Sequence, residues 1–227
     1  MMNTIDIARR RFIVKVIDLT HTIREHMPVF PGTEEPSLQT VSTCETDGFK
    51  ETKISICTHV GTHADPPAHV LNEGTTLDQY DAGQFIGKAL VVDCRRVKEG
   101  GAITMDCLRP YGDKVEKAEF LLFHTGWDAY WGTPQYFGDY PCIDDSVLEY
   151  VVAGSYKGIG FDTFGIDPIG DEELTRHRKL FQRREMINIE NLKNLHLCGS
   201  DLFWFGCFPL KVHQSDGAPV RAVAWFE

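Results

Sequence analysis

The run at residues 59–69, HVGTHADPPAH, constrains the fold more than any other part of the chain. Gly61 and the β-branched residues on either side of it disfavour a helix, and Pro66 and Pro67 cannot continue one. The run therefore predicts a strand that ends at His59, followed by a tight turn at Gly61. The two prolines then stiffen the path to the end of the run, which lowers the entropy cost of holding side chains in place.

Four residues of this run can bind a metal or transfer a proton: His59, His63, Asp65 and His69. Two imidazoles and a carboxylate suit Zn, Mn or Fe better than Ca or Mg. A catalytic zinc site keeps three protein ligands and one open position, where water reaches a pKa of about 7 and can attack a carbonyl. A structural zinc site is the alternative, but it normally has four ligands rich in Cys, and the run contains no Cys.

Strands alternate with a few helices over the rest of the chain, which predicts an α/β or α+β fold in one domain, residues 1–227. One helix is predicted to follow a cap at Asp144, and a second to cover Asp171 to about Arg184. The predicted strands cover residues 12–19, 53–59, 89–93, 120–123 and 158–161, with a C-terminal hairpin of 208–212 and 220–226.

Composition excludes several classes of protein. The net charge is −10, which disfavours a nucleic-acid binder and an anionic membrane surface. The seven cysteines are odd in number and include no CxxC pair, so reduced thiols and a cytoplasmic location are expected. The N-terminal residues lack the apolar stretch of a secretory signal, and no apolar run approaches about 20 residues, so no transmembrane helix is expected.

The run at 59–69 resembles the HxGTHxDxPxH signature of the cyclase-like metal hydrolases, a family that includes bacterial kynurenine formamidases and isatin hydrolases. The signature fixes seven residue types in eleven positions. Further similar segments extend the resemblance over most of the chain, with His124 where an Arg is common and Phe161 where Ile is usual. These segments are residues 18–21, 27–32, 125–127, 160–168, 190–192 and 209–222.

The resemblance implies a swivelling β/β/α fold with a metal site. The resemblance also implies that His59, His63 and Asp65 bind metal and that His69 is the catalytic acid/base. In the formamidase branch a later His and Glu complete a two-metal site that the Asp bridges. The candidates here are His177 and Glu190, although thirteen positions separate them where about twelve are expected. A one-residue bulge near residues 183–185 would absorb the difference.

The expected function is hydrolysis of a small amide, with N-formylkynurenine as the best substrate, in an arylformamidase reaction of tryptophan catabolism. Metal-bound hydroxide would attack the carbonyl while His69 transfers the proton. Hydrolysis of isatin or another cyclic amide or ester is one alternative, and a metal-binding protein without catalysis is another. The resemblance also implies Zn or Mn, one or two ions per chain, and a homodimer or homotetramer with a small-molecule substrate.

Overall fold

The computed structural model describes residues 14–226, and its centre is a mixed sheet of eight strands in the order β1-β12-β11-β5-β7-β9-β10-β4. Two short pairs, β2–β3 and β6–β8, lie outside this sheet. The strands are β1 Lys15–Asp18, β2 Ser37–Ser42, β3 Glu51–Ser55, β4 His63–Asp65, β5 Ile86–Asp93, β6 Ala102–Ile103, β7 Phe120–His124, β8 Cys142–Ile143, β9 Gly158–Phe161, β10 Ile187–Glu190, β11 Phe203–Pro209 and β12 Ala218–Phe226.

The sheet closes on itself because β12 is long enough to pair with three strands. One edge of β12 runs antiparallel to β11. Its other edge pairs with β4 at residues 218–219 and with β1 at residues 223–226. Seven strands therefore form a barrel-like ring, and β1 extends it beside the end of β12.

Four neighbouring strands of the ring, β5, β7, β9 and β10, are parallel and buried on both faces. This is why β5 and β7 appear in the sequence as continuous apolar runs. Along β5, Ala89 and Val91 pack inside the ring, whereas Leu90 and Val92 pack outside it beneath the helices. The helices are α1 Cys44–Asp47, α2 Met105–Leu108, α3 Asp113–Lys117, α4 Asp145–Ala153 and α5 Thr175–Phe181.

Several predicted elements are confirmed. The strands predicted at 89–93, 120–123, 158–161 and 220–226 all lie in the ring. Helix α4 begins after Asp144, whose carboxylate accepts the backbone N–H of Val147 at 2.9 Å. A side-chain cap of this kind contributes roughly 0.5–2 kcal/mol. Of the first predicted strand, residues 12 and 13 lie outside the described residues, and β1 begins at Lys15.

Three predicted boundaries are wrong. The strand predicted at 53–59 ends at Ser55, because β3 is exposed on both faces and its alternation does not reflect a core. The helix predicted from Asp171 begins only at Thr175, since the preceding Leu174 has a φ of 50°. The hairpin strand predicted at 208–212 is instead β11, residues 203–209, whose inward side chains are buried. Within residues 14–226 no helix is long and apolar enough to cross a membrane.

Candidate metal centre

Strands β4 and β10 place four polar side chains on one face of the sheet. The two strands pair antiparallel, with His63 opposite Glu190 and Asp65 opposite Asn188. Successive side chains of a strand point to opposite faces. On each strand the residue between the two polar ones packs inside the barrel, so the four polar side chains face away from it. Directly opposed residues lie about 4.5–5.5 Å apart at Cβ, which brings their polar ends into contact range.

A tight turn brings His59 back to this ladder, as the sequence predicts. Gly61 has a φ of 63°, in the left-handed region that favours glycine. The turn places Nδ1 of His59 2.7 Å from Oδ1 of Asp65. A second glycine makes room for the ring, because a Cβ at Gly217 would lie 2.4 Å from Cε1 of His59.

His59, His63 and Asp65 form a first triad of ligand atoms. Nε2 of His63 lies 3.2 Å from Oδ1 of Asp65, the same oxygen that His59 approaches. Nδ1 of His63 lies 2.8 Å from the backbone carbonyl of Gly61 and donates to it in the neutral ring. That hydrogen bond leaves a lone pair on Nε2, which is the arrangement found in metal-ligating histidines.

Asp65, His177 and Glu190 form a second triad. His177 comes from helix α5, and its Nδ1 lies 2.7 Å from Oδ2 of Asp167, so its Nε2 faces the site. This Nε2 lies 3.6 Å from Oδ2 of Asp65 and 3.3 Å from Oε1 of Glu190. Asp65 thus offers one oxygen to each triad. Glu190 does the same, because its Oε2 lies 3.6 Å from Nε2 of His63.

The donor atoms of both triads fit a divalent metal. Ligand bonds of 2.0–2.1 Å in a tetrahedral site separate the donors from one another by about 3.3 Å. Most of the N···O separations in the two triads, 3.2 to 3.6 Å, are near this value. Imidazole nitrogens with carboxylate oxygens are ligands typical of first-row transition metals.

The charges in the cluster are strongly coupled. Burial opposes the charged form of His59, but hydrogen bonds to Asp216 and Asp65 raise its pKa to about 10. Burial also opposes the charged forms of His63 and His177, but the carboxylates around these two rings raise the pKa of both. Burial opposes the ionisation of Asp65 too, yet the His63 charge and hydrogen bonds from the imidazoles lower its pKa well below the ordinary value.

His69 differs from the other histidines of the run. It ends a short 3₁₀ turn, Pro67–His69, and its ring centre lies 4.0 Å from that of His59. Burial lowers the pKa of His69 to about 3, although the charge of Asp65 opposes the shift. The ring makes no hydrogen bond to another residue within 14–226, so a neutral imidazole is available beside the triads.

A cavity of about 400 Å³ opens onto this cluster. His59, His63, His69, His177 and Glu190 lie on its floor. Its walls are largely apolar, and acidic side chains also line it. These wall residues include Phe30, Phe164, Pro168, Ile169 and Leu174, with Asp171 and Glu172. The site can therefore hold a small, partly aromatic molecule against the ligand cluster.

The structure brings together all six residues singled out in the sequence. The thirteen-residue spacing does not separate His177 from Glu190, whose Oε1 lies 3.3 Å from Nε2 of His177. Sequence reasoning assigned no role to Asp167, Asn188 or Asp216, which contact His177, the second triad and His59 respectively. Asn188 could have been found from its spacing of two before Glu190 on a strand.

Comparison with known proteins places the chain in a family. The family model described as "Putative cyclase" matches residues 17–168. The chain belongs to this cyclase family. A kynurenine formamidase of Geobacillus thermodenitrificans is 30% identical to this cyclase-family chain over 207 residues, which cover 91% of the chain and 95% of that protein.

Solved structures of similar proteins share the fold of this cyclase-family chain. Isatin hydrolase A of Labrenzia aggregata superposes with a TM-score of 0.83 at 21% identity, over 93% of each chain, and shares the fold. A protein of Bacillus stearothermophilus described as a predicted metal-dependent hydrolase has a TM-score of 0.72 at 25% identity, over 93% of this chain and 98% of its own. The α/β fold with a mixed, barrel-like sheet is shared with these structures, and the description of the second as metal-dependent agrees with the His, Asp and Glu clusters of this chain that could hold a divalent metal.

Proposed function

We propose that this chain is a metal-dependent amide hydrolase that acts as an arylformamidase, converting N-formylkynurenine and water to kynurenine and formate. The observation that carries the proposal is the pair of triads that share Asp65 beneath a cavity, with a neutral His69 beside them. The similarity to kynurenine formamidases over most of the chain supports the choice of substrate.

In this proposal His59, His63 and Asp65 hold one metal, and Asp65, His177 and Glu190 hold a second. Zn and Mn are the proposed ions, since both accept this mixture of nitrogen and oxygen donors. A bound divalent ion supplies Lewis acidity, which lowers the pKa of water from 15.7 to about 7 and polarises a carbonyl. The imidazole hydrogen bonds to Gly61 and Asp167 fix the tautomers needed for ligation.

His69 moves the proton. It lines the cavity and is neutral at pH 7, so it can take a proton from the attacking water as the new C–O bond forms. It then gives that proton to the amide nitrogen as the C–N bond breaks, which releases an amine and formate. A protein that only bound metal would have no use for this extra imidazole, which argues against the non-catalytic alternative.

Hydrolysis of isatin or another neutral cyclic amide is the second candidate. Among the described residues that line the cavity there is no Lys or Arg, whereas Asp171 and Glu172 are present. N-formylkynurenine carries an α-ammonium group, which Asp171 and Glu172 can pair with, and a carboxylate, which this lining does not neutralise. A neutral cyclic amide needs only the apolar walls, which is the observation that keeps the second candidate, and the substrate panel below separates the two.

The test is hydrolysis of N-formylkynurenine, formanilide and isatin by the metal-reconstituted wild-type protein, with metal content measured on the same sample. Turnover of N-formylkynurenine that disappears in the His69→Ala variant with metal retained is the expected result. Preference for isatin would select the second candidate. Absence of turnover on the whole panel by a fully metal-loaded protein would refute the hydrolase proposal.

We further propose that the chain is one domain of the swivelling β/β/α type and works as a cytoplasmic homodimer or homotetramer. None of the seven cysteines, all of which lie within the described residues, forms a disulfide, which suits a reducing compartment. Light scattering on the purified protein measures the oligomeric state, and a monomer at micromolar concentration would contradict this part of the proposal.

A further inference from the structure

Asn188 is a neutral polar side chain, with no exposed surface, inside a cluster of imidazoles and carboxylates. Its Nδ2 lies 2.8 Å from Oε1 of Glu190, 3.1 Å from Oδ2 of Asp65 and 3.3 Å from Nε2 of His177. These three atoms are the second triad. The amide of Asn188 therefore caps the triad at nearly equal distance from each of its ligand atoms.

The other end of this amide has no partner. Oδ1 of Asn188 is buried and accepts no hydrogen bond from any described residue. A buried amide oxygen without a donor costs free energy, so its environment calls for an explanation. Since no described residue donates to Oδ1, the contacts of the amide with the triad favour one of its two ends facing inward.

Without a cation, the amide nitrogen faces inward because it can donate to two carboxylates. A divalent cation in the triad would reverse this preference, since its ligands must be lone pairs. The nitrogen and oxygen of an Asn side chain exchange places by a half-turn about χ2 with almost no change of shape. Rotation of Asn188 would then place Oδ1 where Nδ2 lies now.

We propose that Asn188 is the fourth protein ligand of the second metal, through Oδ1. The proposal rests on the proposed function insofar as that function includes a metal at the triad. The separations of 2.8 to 3.3 Å between the amide end and the triad atoms are near the roughly 3.3 Å between neighbouring donors of a tetrahedral site. Amide oxygens also belong to the accepted ligand types for divalent ions such as Mn.

This assignment gives the two metal positions different roles. The second position has four protein ligands, from Asp65, His177, Asn188 and Glu190, which is the closed shell of a structural site. The first has three, from His59, His63 and Asp65, which leaves one position of a tetrahedral site free for water or substrate. Ligands of both positions line the cavity, so the number of protein ligands is what distinguishes the two.

The test compares Asn188→Asp with Asn188→Ala. Asp keeps an oxygen at the same position and Ala removes it, so the pair isolates the ligand atom. Metal per chain is measured by elemental analysis of protein loaded with Mn or Zn, and each dissociation constant by competition with a chelator. Cobalt substitution adds the visible absorption of the ion, which depends on its coordination.

We expect two metals per chain in the wild-type protein. Asn188→Ala should weaken the second metal by about 100-fold or more while the first stays within about threefold, because loss of a ligand costs at least as much as loss of an outer partner. Asn188→Asp should bind the second metal at least as tightly as the wild type. Unfolding of all three proteins in chelator shows whether the Ala variant is folded before it is loaded.

Three results would overturn the proposal: one metal per chain in the wild-type protein, wild-type affinity for both metals in Asn188→Ala, or a second metal weakened tenfold or more in Asn188→Asp. The last result is expected if Asn188 serves only as an N–H donor, because Asp cannot donate. If Asn188→Ala does not fold, the Asp variant alone decides. Wild-type protein that holds two metals but hydrolyses no amide would refute the proposed function and leave this assignment intact.

Discussion

Replacement of Gly217 by Ala tests whether the position of His59 controls the site. A methyl group at residue 217 would lie 2.4 Å from Cε1 of the His59 ring, 2.6 Å from Nε2 and 2.9 Å from Nδ1. The φ of Gly217 is outside the left-handed region, so Ala strains no backbone angle there. The three atoms nearest to the new methyl group all belong to the imidazole, so the collision falls on His59.

The size of the effect follows from the distances. An ordinary contact needs about 3.4 Å or more, so the ring must move by about 1 Å, and displacements of this size cost roughly 10²-fold in rate. That factor corresponds to about 2.7 kcal/mol at the transition state. The shift also lengthens the 2.7 Å contact between Nδ1 of His59 and Asp65, which should weaken the first metal.

The measurements are kcat/KM on the substrate that the panel selects and metal per chain for the Gly217→Ala protein. Gly83→Ala is the matched control, because a Cβ at residue 83 would meet no atom within 4 Å. It should behave like the wild type in both measurements. If Gly217→Ala kept wild-type kcat/KM and full metal content, the ring of His59 would not be a rigid part of the site and the argument from its position would fail.

The other predictions concern individual side chains. Asp65→Ala should remove both metals because Asp65 offers one oxygen to each triad, and retention of either ion on elemental analysis would contradict that sharing. His69→Ala should keep its metal and lose about 10²–10⁴-fold in kcat. Burial lowers the pKa of His69 to about 3, so the wild-type ring is neutral above about pH 4. The His69→Ala variant should therefore keep the acidic limb of the pH–rate profile. If the limb disappeared in that variant, the titrating group would be His69. Asp167→Asn should weaken metal binding by about 10–100-fold, since Asp167 orients His177, and calorimetry showing unchanged affinity would exclude that role. The pKa of His59 and of His177 is raised in the metal-free protein, so both rings hold a proton at pH 7 that metal must displace. Metal affinity should therefore rise with pH, with protons released into the buffer, and a pH-independent affinity would contradict this.

Local features of the sequence were sufficient for much of the fold. The continuous apolar runs at 89–93 and 120–123 indicate strands buried on both faces, and the structure places them so. Gly61 and the two prolines indicate a turn followed by a stiff segment. The structure has a turn at Gly61 before His63 and a 3₁₀ turn that ends at His69. Each of these signals depends only on neighbours within a few positions.

Other features depend on distant residues and could not be predicted in this way. The first backbone N–H groups of helix α5 bind carboxylates that lie before it in the chain. Asp171 accepts the N–H of Thr175, and Asp167 accepts those of the next two residues, so the acidic residues at 171–173 precede the helix and do not form its first turn. Asn188 acquires its position opposite Asp65 from the pairing of β4 with β10, more than 120 residues apart in the chain. No spacing rule within one segment contains that information.

The pairing of β4 with β10 also fixes where this chain tolerates a change in length. One residue inserted within a strand would reverse the faces of the side chains that follow it on that strand, so that an acid with an imidazole from β4, or an acid with an amide from β10, would point into the apolar interior of the barrel. A residue inserted between Phe181 and Ile187 changes no face, because that loop only joins the helix to the strand. An added residue in this loop therefore leaves the faces of the site unchanged, whereas one within β4 or β10 reverses them.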